Sequence, residues 1–171
     1  VELDSKSFPY VTEHQIQGVP LYPGAGFLEL ALAAVREVYG EGPCVFHDVE
    51  FKKVLSFRED EVKRLQLVVA PARPGQVSFK LYNRSHLSES VTASWTLLAN
   101  GFIETDPKLP DTVPSVQFSA ESLDVDFLGK LDSTEFYERV ADFNTQLGPT
   151  FQGVRQVWYY GSTEKAICRL Q

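Results

Sequence analysis

Residues 24–39 read GAGFLELALAAVREVY, and this stretch decides the fold. It contains strong helix formers and no proline, and Gly40 follows it as a glycine commonly follows the last turn of a helix. Apolar residues occupy most positions around such a helix, whereas a helix on a protein surface shows a single apolar stripe. The sequence therefore predicts a helix over 24–39 that is buried on nearly all sides.

Segments typical of β-strands follow this helix. They are rich in β-branched and aromatic residues and are separated by turn-forming stretches such as PARPG at 71–75. The predicted strands are 44–51, 64–70, 76–83 and 91–105. One buried helix followed by antiparallel strands indicates an α+β fold. A curved sheet wrapped around the helix, the hotdog fold, encloses it most fully without a second helical layer.

The composition changes at Asp106, where three prolines appear without hydrophobic periodicity. We expect residues 1–105 to form the hotdog and residues 106–122 to form a linker. Residues 123–171 then supply one predicted helix, with Ser133 as its N-cap, and two predicted strands. The predicted burial points of that helix are Phe136, Tyr137, Val140 and Phe143. These elements are too few to enclose a core, so they are interpreted as the incomplete start of a second unit.

Composition argues against several functional classes. The formal charge of −7 on 171 residues disfavours a nucleic-acid-binding protein, because such proteins need clustered lysine and arginine. No apolar run is long enough to span a bilayer and no secretory leader is recognisable, so we expect a cytoplasmic protein without a membrane partner. Cys44 and Cys168 lack the spacing of metal ligands, which predicts buried reduced thiols and no disulfide or metal site. A chain that begins with Val1 and lacks methionine is interpreted as a piece of something longer.

His14 is the best candidate for chemistry among the three histidines. His47 lies between apolar residues and His86 lies in a polar loop, and both are interpreted as structural or solvated. A bend at Gly18 would bring His14 near the helix that begins at Gly24, whose backbone N–H groups can hold an oxygen that becomes negative. Two interpretations stay open on the residues alone: a base for proton abstraction beside a thioester carbonyl, or a core histidine before a turn.

The spacing of His14, Gly18 and Pro23 favours the first interpretation. Within EHQIQGVPLYPGAGFLELALAA they follow the pattern His, three residues, Gly, four residues, Pro. This resembles the N-terminal signature of dehydratase domains of modular polyketide synthases and related animal-type fatty acid synthases. The resemblance continues through HDVEFKKVL, SWTLLANG and LGPTFQGVRQVWYYG. It covers nearly the whole chain and implies the first half of a double hotdog, followed by the start of the second.

The resemblance implies a hydro-lyase. Members of this family remove water from a 3-hydroxyacyl group carried on an acyl carrier protein and give an enoyl thioester, without a metal or an organic cofactor of their own. The substrate arrives on the phosphopantetheine of the carrier. The implied partners are the acyl carrier protein, neighbouring synthase domains and a second copy of the chain in a homodimer. Local basic residues that could contact the carrier are Lys52, Lys53 and Arg58.

The resemblance also assigns roles to particular residues. His14 is the expected base that takes the proton at C2, because an imidazole can accept a proton near neutral pH. Gly18 and the backbone near Gly24 are expected to hold the thioester carbonyl. Because Gly24 and Gly26 have no side chain, we expect the carbonyl to approach their backbone closely. Pro23 is expected to shape the loop. Candidate pocket walls are Leu21, Tyr22 and Phe151.

Two departures from the family pattern limit these assignments. The acid partner of the family is an aspartate that we expect beyond Gln171, and neither Asp132 nor Asp142 takes its place because both precede the GPTFQG segment. The isolated chain is therefore expected to lack the acid. Leu147 stands where family members commonly carry a tyrosine before the GPxF sequence. Alternative functions are a dehydratase-like isomerase or cyclase, or a non-catalytic scaffold module of a megasynthase.

Overall fold

The computed structural model describes residues 1–58, 61–84, 94–108, 129–159 and 166–171. The chain divides into two compact units. Unit 1 combines Val1–Thr12 with Val19–Leu109, and unit 2 combines Glu13–Gly18 with Pro110–Gln171. The short segment that carries His14 thus groups with residues from the other end of the chain. The boundaries expected after residues 105 and 122 stay a prediction, because residues 109–128 lie outside the described ranges.

The described residues contain two α-helices and β-strands of different lengths. The helices are α1 (Gly24–Tyr39) and α2 (Ser133–Asp142). The strands are β1 (Glu2–Leu3), β2 (His14–Ile16), β3 (Val19–Pro20), β4 (Cys44–Phe51), β5 (Lys63–Arg73), β6 (Gln76–Arg84), β7 (Trp95–Thr105), β8 (Gly129–Asp132), β9 (Thr145–Leu147), β10 (Val154–Tyr159) and β11 (Ala166–Leu170). Of the predicted strand 91–105, residues 91–93 lie outside the described part of the chain.

Unit 1 is an antiparallel five-stranded sheet with the strand order β1-β5-β6-β7-β4, and α1 packs against it. This combination confirms the predicted α+β hotdog fold. The core contains large side chains that are almost fully buried, among them Phe79, Leu98 and Ile103. Phe79 meets Phe46 edge to face, with ring centroids 6.1 Å apart. Burying a side chain of this size contributes about 1.5 to 3 kcal/mol, so this core supplies much of the stability of unit 1.

Helix α1 has the predicted bounds but not the predicted burial. Phe27, Ala31 and Val35 form one buried stripe at a spacing of four residues. Val38 is 65% exposed and Tyr39 is 45% exposed, so the prediction of burial on nearly all sides is wrong. A single sheet covers only the side of a helix that faces it, and it leaves the opposite side uncovered. Within the described residues, neither helix is long and apolar enough to cross a membrane.

Unit 2 contains a three-stranded antiparallel sheet in the order β11-β10-β8, beside which α2 lies. The N-cap of α2 is Asp132 and not the predicted Ser133. The Asp132 carboxylate accepts from the backbone N–H of Glu135 at 2.9 Å, and the Glu135 carboxylate accepts from the Asp132 N–H at 3.0 Å. Ser133 is the first helical residue, and its hydroxyl donates to the carbonyl of Val154 at 2.9 Å.

Of the four residues predicted to be buried on α2, three are partly buried and one is exposed. Phe136, Tyr137 and Val140 are half-buried, whereas Phe143 is 82% exposed and its predicted burial is wrong. The physical reason is the end of the helix: Phe143 is the C-cap, and Asn144 has a positive φ of 55° that turns the chain. Helical periodicity therefore stops before it reaches Phe143.

Candidate active site

His14 lies on a short strand that pairs with a segment near the other end of the chain. Strand β2 runs antiparallel to β9, with His14 opposite Leu147 and Ile16 opposite Thr145. The backbone N–H of Gln17 extends the pairing by donating to the carbonyl of Asn144 at 2.8 Å. Because residues directly opposite each other in an antiparallel pair project to the same face, the Leu147 side chain lies beside the imidazole.

The His14 ring also contacts Phe151. Their ring centroids are 5.6 Å apart and the ring planes are inclined at 55°. His14 is half-buried, so part of the imidazole surface stays accessible. The structure therefore brings together two of the residues that the sequence assigned to the site, His14 and Phe151, and adds Leu147 to them.

The turn that carries Phe151 is held by side chains that sequence reasoning missed. The Tyr137 hydroxyl donates to the Phe151 carbonyl at 3.3 Å and accepts from the Val154 N–H at 2.9 Å. The Gln152 amide donates to the Leu147 carbonyl at 2.7 Å. These bonds fix both ends of the short 3₁₀ turn Pro149–Phe151, and only the GPTFQG sequence itself signals that a turn is there.

Gly18 follows β2 in a tight turn of the chain. Gln17 and Gly18 both have positive φ, 53° and 73°, the combination typical of a type I′ turn. No heavy atom lies within 4 Å of the position that a Cβ of Gly18 would occupy. Glycine is therefore needed here for its backbone conformation and not for space, and the bend predicted at Gly18 is present.

The remaining candidate residues belong to unit 1. Pro23 is the N-cap of α1, with extended backbone and no side-chain cap, as expected for a helix that begins at Gly24. A Cβ on Gly24 would lie 3.3 Å from the Phe51 ring, so that ring covers one side of the glycine. Leu21 forms an antiparallel bridge with Ser56.

Tyr22 lies in the core of unit 1, where it is 7% exposed. Its ring packs between Phe27 and Phe57, at centroid distances of 5.4 and 6.3 Å. Burial, together with a hydrogen bond to Tyr10, raises the pKa of the Tyr22 phenol well above its ordinary value, so the hydroxyl stays protonated. A Cβ on Gly26 would lie 2.5 Å from the Tyr22 ring, so that side of Gly26 is filled by the ring and is not open to a carbonyl.

Other predicted features are located as follows. Cys44 and Cys168 are both free thiols, but Cys44 is only half-buried and Cys168 is exposed, so their predicted burial is wrong. His47 pairs with Glu104 at 3.0 Å on the sheet of unit 1, while His86 lies outside the described residues. Across the described ranges, no three side chains of the metal-binding types are grouped to hold an ion.

A cavity of about 430 Å³ lies between α2 and β9. Leu147 lines this cavity, but His14 and Phe151 do not.

The chain is thus a hotdog-fold protein in which a histidine on a short strand contacts the aromatic ring of a turn. Two family models match most of the chain in sequence. The family described as polyketide synthase dehydratase domain matches residues 1–84, and the one described as polyketide synthase dehydratase N-terminal domain matches residues 116–171. The chain belongs to the polyketide synthase dehydratase domains, which confirms the resemblance seen in the sequence.

Individual relatives agree with this assignment. The chain is 34% identical to polyketide synthase GfsE of Streptomyces halstedii, over 91% of this chain and 4% of the relative. It is 31% identical to the phenolphthiocerol synthesis polyketide synthase Pks15/1 of Mycobacterium marinum, over 88% of this chain and 7% of the relative. Among solved structures, the dehydratase domain from the CurF module of curacin polyketide synthase matches with a TM-score of 0.81 and 26% identity, over 99% of this chain and 58% of that one. The chain thus spans a small part of these synthases and somewhat more than half of the solved domain.

Proposed function

We propose that the protein dehydrates a 3-hydroxyacyl thioester carried on an acyl carrier protein, giving an enoyl thioester during polyketide chain processing. The observation that carries the proposal is the placement of His14. It lies at the first position of the family spacing, on a strand paired with β9, and its ring meets Phe151 of the GPTFQG turn. A half-buried imidazole with part of its surface accessible can act as a general base toward a substrate C–H bond.

In the proposed reaction, His14 takes the proton from C2 of the substrate. The electron pair of that C–H bond forms the C2–C3 double bond, and the C3 hydroxyl leaves as water with a proton from an acid partner. The family supplies this acid as an aspartate. The backbone N–H of Gly18 is the proposed donor that stabilises the negative charge on the thioester oxygen. Phe151, whose ring meets His14, is the proposed pocket wall beside the base.

The chemistry requires no metal or organic cofactor of the protein itself. The substrate arrives on the phosphopantetheine arm of an acyl carrier protein, and neighbouring synthase domains supply and receive the acyl chain. We propose that the protein acts as a homodimer in the cytoplasm. Lys52, Lys53 and Arg58 are the proposed basic contacts for an acidic carrier, although Lys52 also pairs with Glu50 at 2.8 Å.

Leu147 is the departure that bears most directly on this reaction. Its side chain lies beside His14, at the position where a family tyrosine would bring a hydroxyl. Leucine offers no hydrogen bond to a substrate oxygen there. Replacing Leu147 with tyrosine therefore tests whether the missing hydroxyl slows the reaction. A hydrogen bond of about 1 kcal/mol corresponds to roughly a fivefold gain in rate.

The test is to incubate the native full-length protein with a 3-hydroxyacyl-N-acetylcysteamine thioester and to follow loss of water by mass spectrometry. His14→Ala should lower the rate by about 10² to 10⁴, while the matched variant His47→Ala, on the sheet of unit 1, should retain the rate. Because this substrate has no double bond to move, the isomerase or cyclase is tested with a 2-enoyl thioester that carries a distal hydroxyl, and a product of unchanged mass would favour one of them. No conversion by the wild-type protein would favour the scaffold and overturn the proposal.

A further inference from the structure

Glu13, the residue before His14, makes two contacts with the Gly148–Thr150 segment. Its carboxylate accepts a hydrogen bond from the backbone N–H of Thr150 at 2.8 Å, across 137 residues of sequence. Its backbone carbonyl accepts from the N–H of Gly148 at 2.7 Å. Main chain and side chain of one residue therefore bind the same short segment, which ends the β9 strand and begins the Phe151 turn.

The fit between Glu13 and Gly148 is close. A Cβ built on Gly148 would lie 2.7 Å from both Cβ and Cγ of Glu13, a separation that real Cβ atoms do not adopt. Only glycine lets the Glu13 side chain cross this point and reach Thr150. The glycine before Pro149 is thus explained by the carboxylate that passes over it.

These contacts bracket the two aromatic rings of the candidate site. His14 follows Glu13, and Phe151 follows Thr150, so the Glu13–Thr150 bond joins the two residues that directly precede the touching rings. Tyr137 and Gln152 hold the same turn from the side of α2 and β9. These hydrogen bonds join α2 and Gln152 to Phe151, Val154 and Leu147. The Glu13 carboxylate supplies a side-chain link between the strand that carries His14 and the turn.

We propose that Glu13 is a positioning residue, which fixes the His14 imidazole against Phe151 through the Thr150 N–H. This rests on the proposed function, in which His14 is the base. The carboxylate acts as a hydrogen-bond acceptor, so its geometry matters and its charge does not. Glutamine can place an amide oxygen at the same point, whereas alanine leaves the Thr150 N–H without its side-chain acceptor.

The test compares Glu13→Ala with Glu13→Gln in the native full-length protein. Glu13→Ala should lower kcat by about tenfold to 100-fold while KM changes little, because displacement of a catalytic group by about 1 Å costs this much and the substrate contacts remain. Glu13→Gln should restore most of the rate. The matched control is Glu61→Ala, whose carboxylate also accepts from a backbone N–H but lies in unit 1.

Hydrogen exchange gives a second measurement that needs no turnover. In Glu13→Ala, amides of peptides covering 13–18 and 145–151 should exchange faster, while those of β10 and β11 should be unchanged. A loss of rate that glutamine does not restore would assign the effect to charge and overturn the proposal. Unchanged kinetics and exchange in Glu13→Ala would overturn it as well. If the wild-type protein does not dehydrate the substrate, the exchange result alone decides the link, and the failure then belongs to the proposed function.

Discussion

Units 1 and 2 are stabilised in different ways. In unit 1, the buried side chains form one continuous cluster that includes Phe27, Phe79 and Ile103. In the described part of unit 2, the buried hydrophobic side chains are Leu131, Val157 and Trp158. The described part of unit 2 also contains the Asp132 cap and the side-chain hydrogen bonds that hold the 149–151 turn, and the candidate base lies there. The scaffold is thus stabilised mainly by a hydrophobic core, whereas the candidate base is held in place mainly by local turns and hydrogen bonds.

The largest expected effect comes from truncating the core of unit 1. Phe79→Ala should lower the free energy of unfolding of unit 1 by about 3 to 5 kcal/mol, because it removes a ring that is 1% exposed and leaves a cavity. Phe143→Ala in unit 2 should change stability by less than about 0.5 kcal/mol, because that ring is already in water. Hydrogen exchange under denaturant reports the two units separately. Equal effects of the two substitutions would contradict the conclusion that the two units are stabilised in different ways.

The elements that sequence predicted well are those with long periodic patterns. Helix α1 and strand β4 have the predicted bounds, since a run of eight or more residues carries enough periodicity to define itself. Strand β2 has three residues and its pairing partner β9 has three, so neither shows a pattern. Such pairs form because tertiary contacts select them, and a local reading of sequence has no access to those contacts.

The residues of the candidate site also fall into two groups, those with a signal in the local sequence and those without one. His14 could be found because the family spacing marks it, and Phe151 because it lies in a recognisable turn. Glu13 and Tyr137 could not be found, because an acidic residue and a tyrosine acquire their roles only through partners far away in sequence. The all-round burial predicted for α1 was wrong for a related reason. Composition tells which side chains are apolar but not how many sides of a helix a sheet will cover.

The second prediction tests the turn after β2. Gly18→Ala should lower the free energy of unfolding of unit 2 by about 1 to 2 kcal/mol, because alanine is strained at a φ of 73°. Gly153→Ala is the matched control, since Gly153 is outside the positive-φ set and nothing lies within 4 Å of its Cβ position. That substitution should be neutral or slightly stabilising. If both variants behave alike, backbone conformation is not what requires glycine at 18.

The third prediction concerns the cap of α2. Asp132→Ala should destabilise the helix by about 1 kcal/mol, because the Glu135 N–H loses its acceptor. Asp132→Asn keeps an oxygen in the same place and should retain most of that stability. Exchange rates of amides in peptides covering 133–142 measure the effect directly. A helix that stays equally protected in Asp132→Ala would show that packing against β10 and not the cap defines its start.

The smallest expected effect is a pH-dependent ion pair in unit 1. Burial opposes ionisation of Glu61, but hydrogen bonds from the Lys63 side chain and the Arg58 N–H outweigh it and hold the pKa of the carboxyl below its ordinary value of 4.5. A carboxyl with a lowered folded-state pKa stabilises the fold above its unfolded-state pKa, and this contribution is lost as the pH falls through the folded-state value. At pH 7 the free energy of unfolding of wild type should therefore exceed that of Glu61→Gln by about 0.5 kcal/mol, a size typical of partly exposed ion pairs. This difference should disappear as the pH falls below 4.5. Urea denaturation of both proteins at pH 7 and at pH 3 measures the difference. A difference in free energy that persists unchanged at pH 3 would assign the effect to packing of the Glu61 side chain. The charge of Glu61 would then make no measurable contribution to the stability of unit 1.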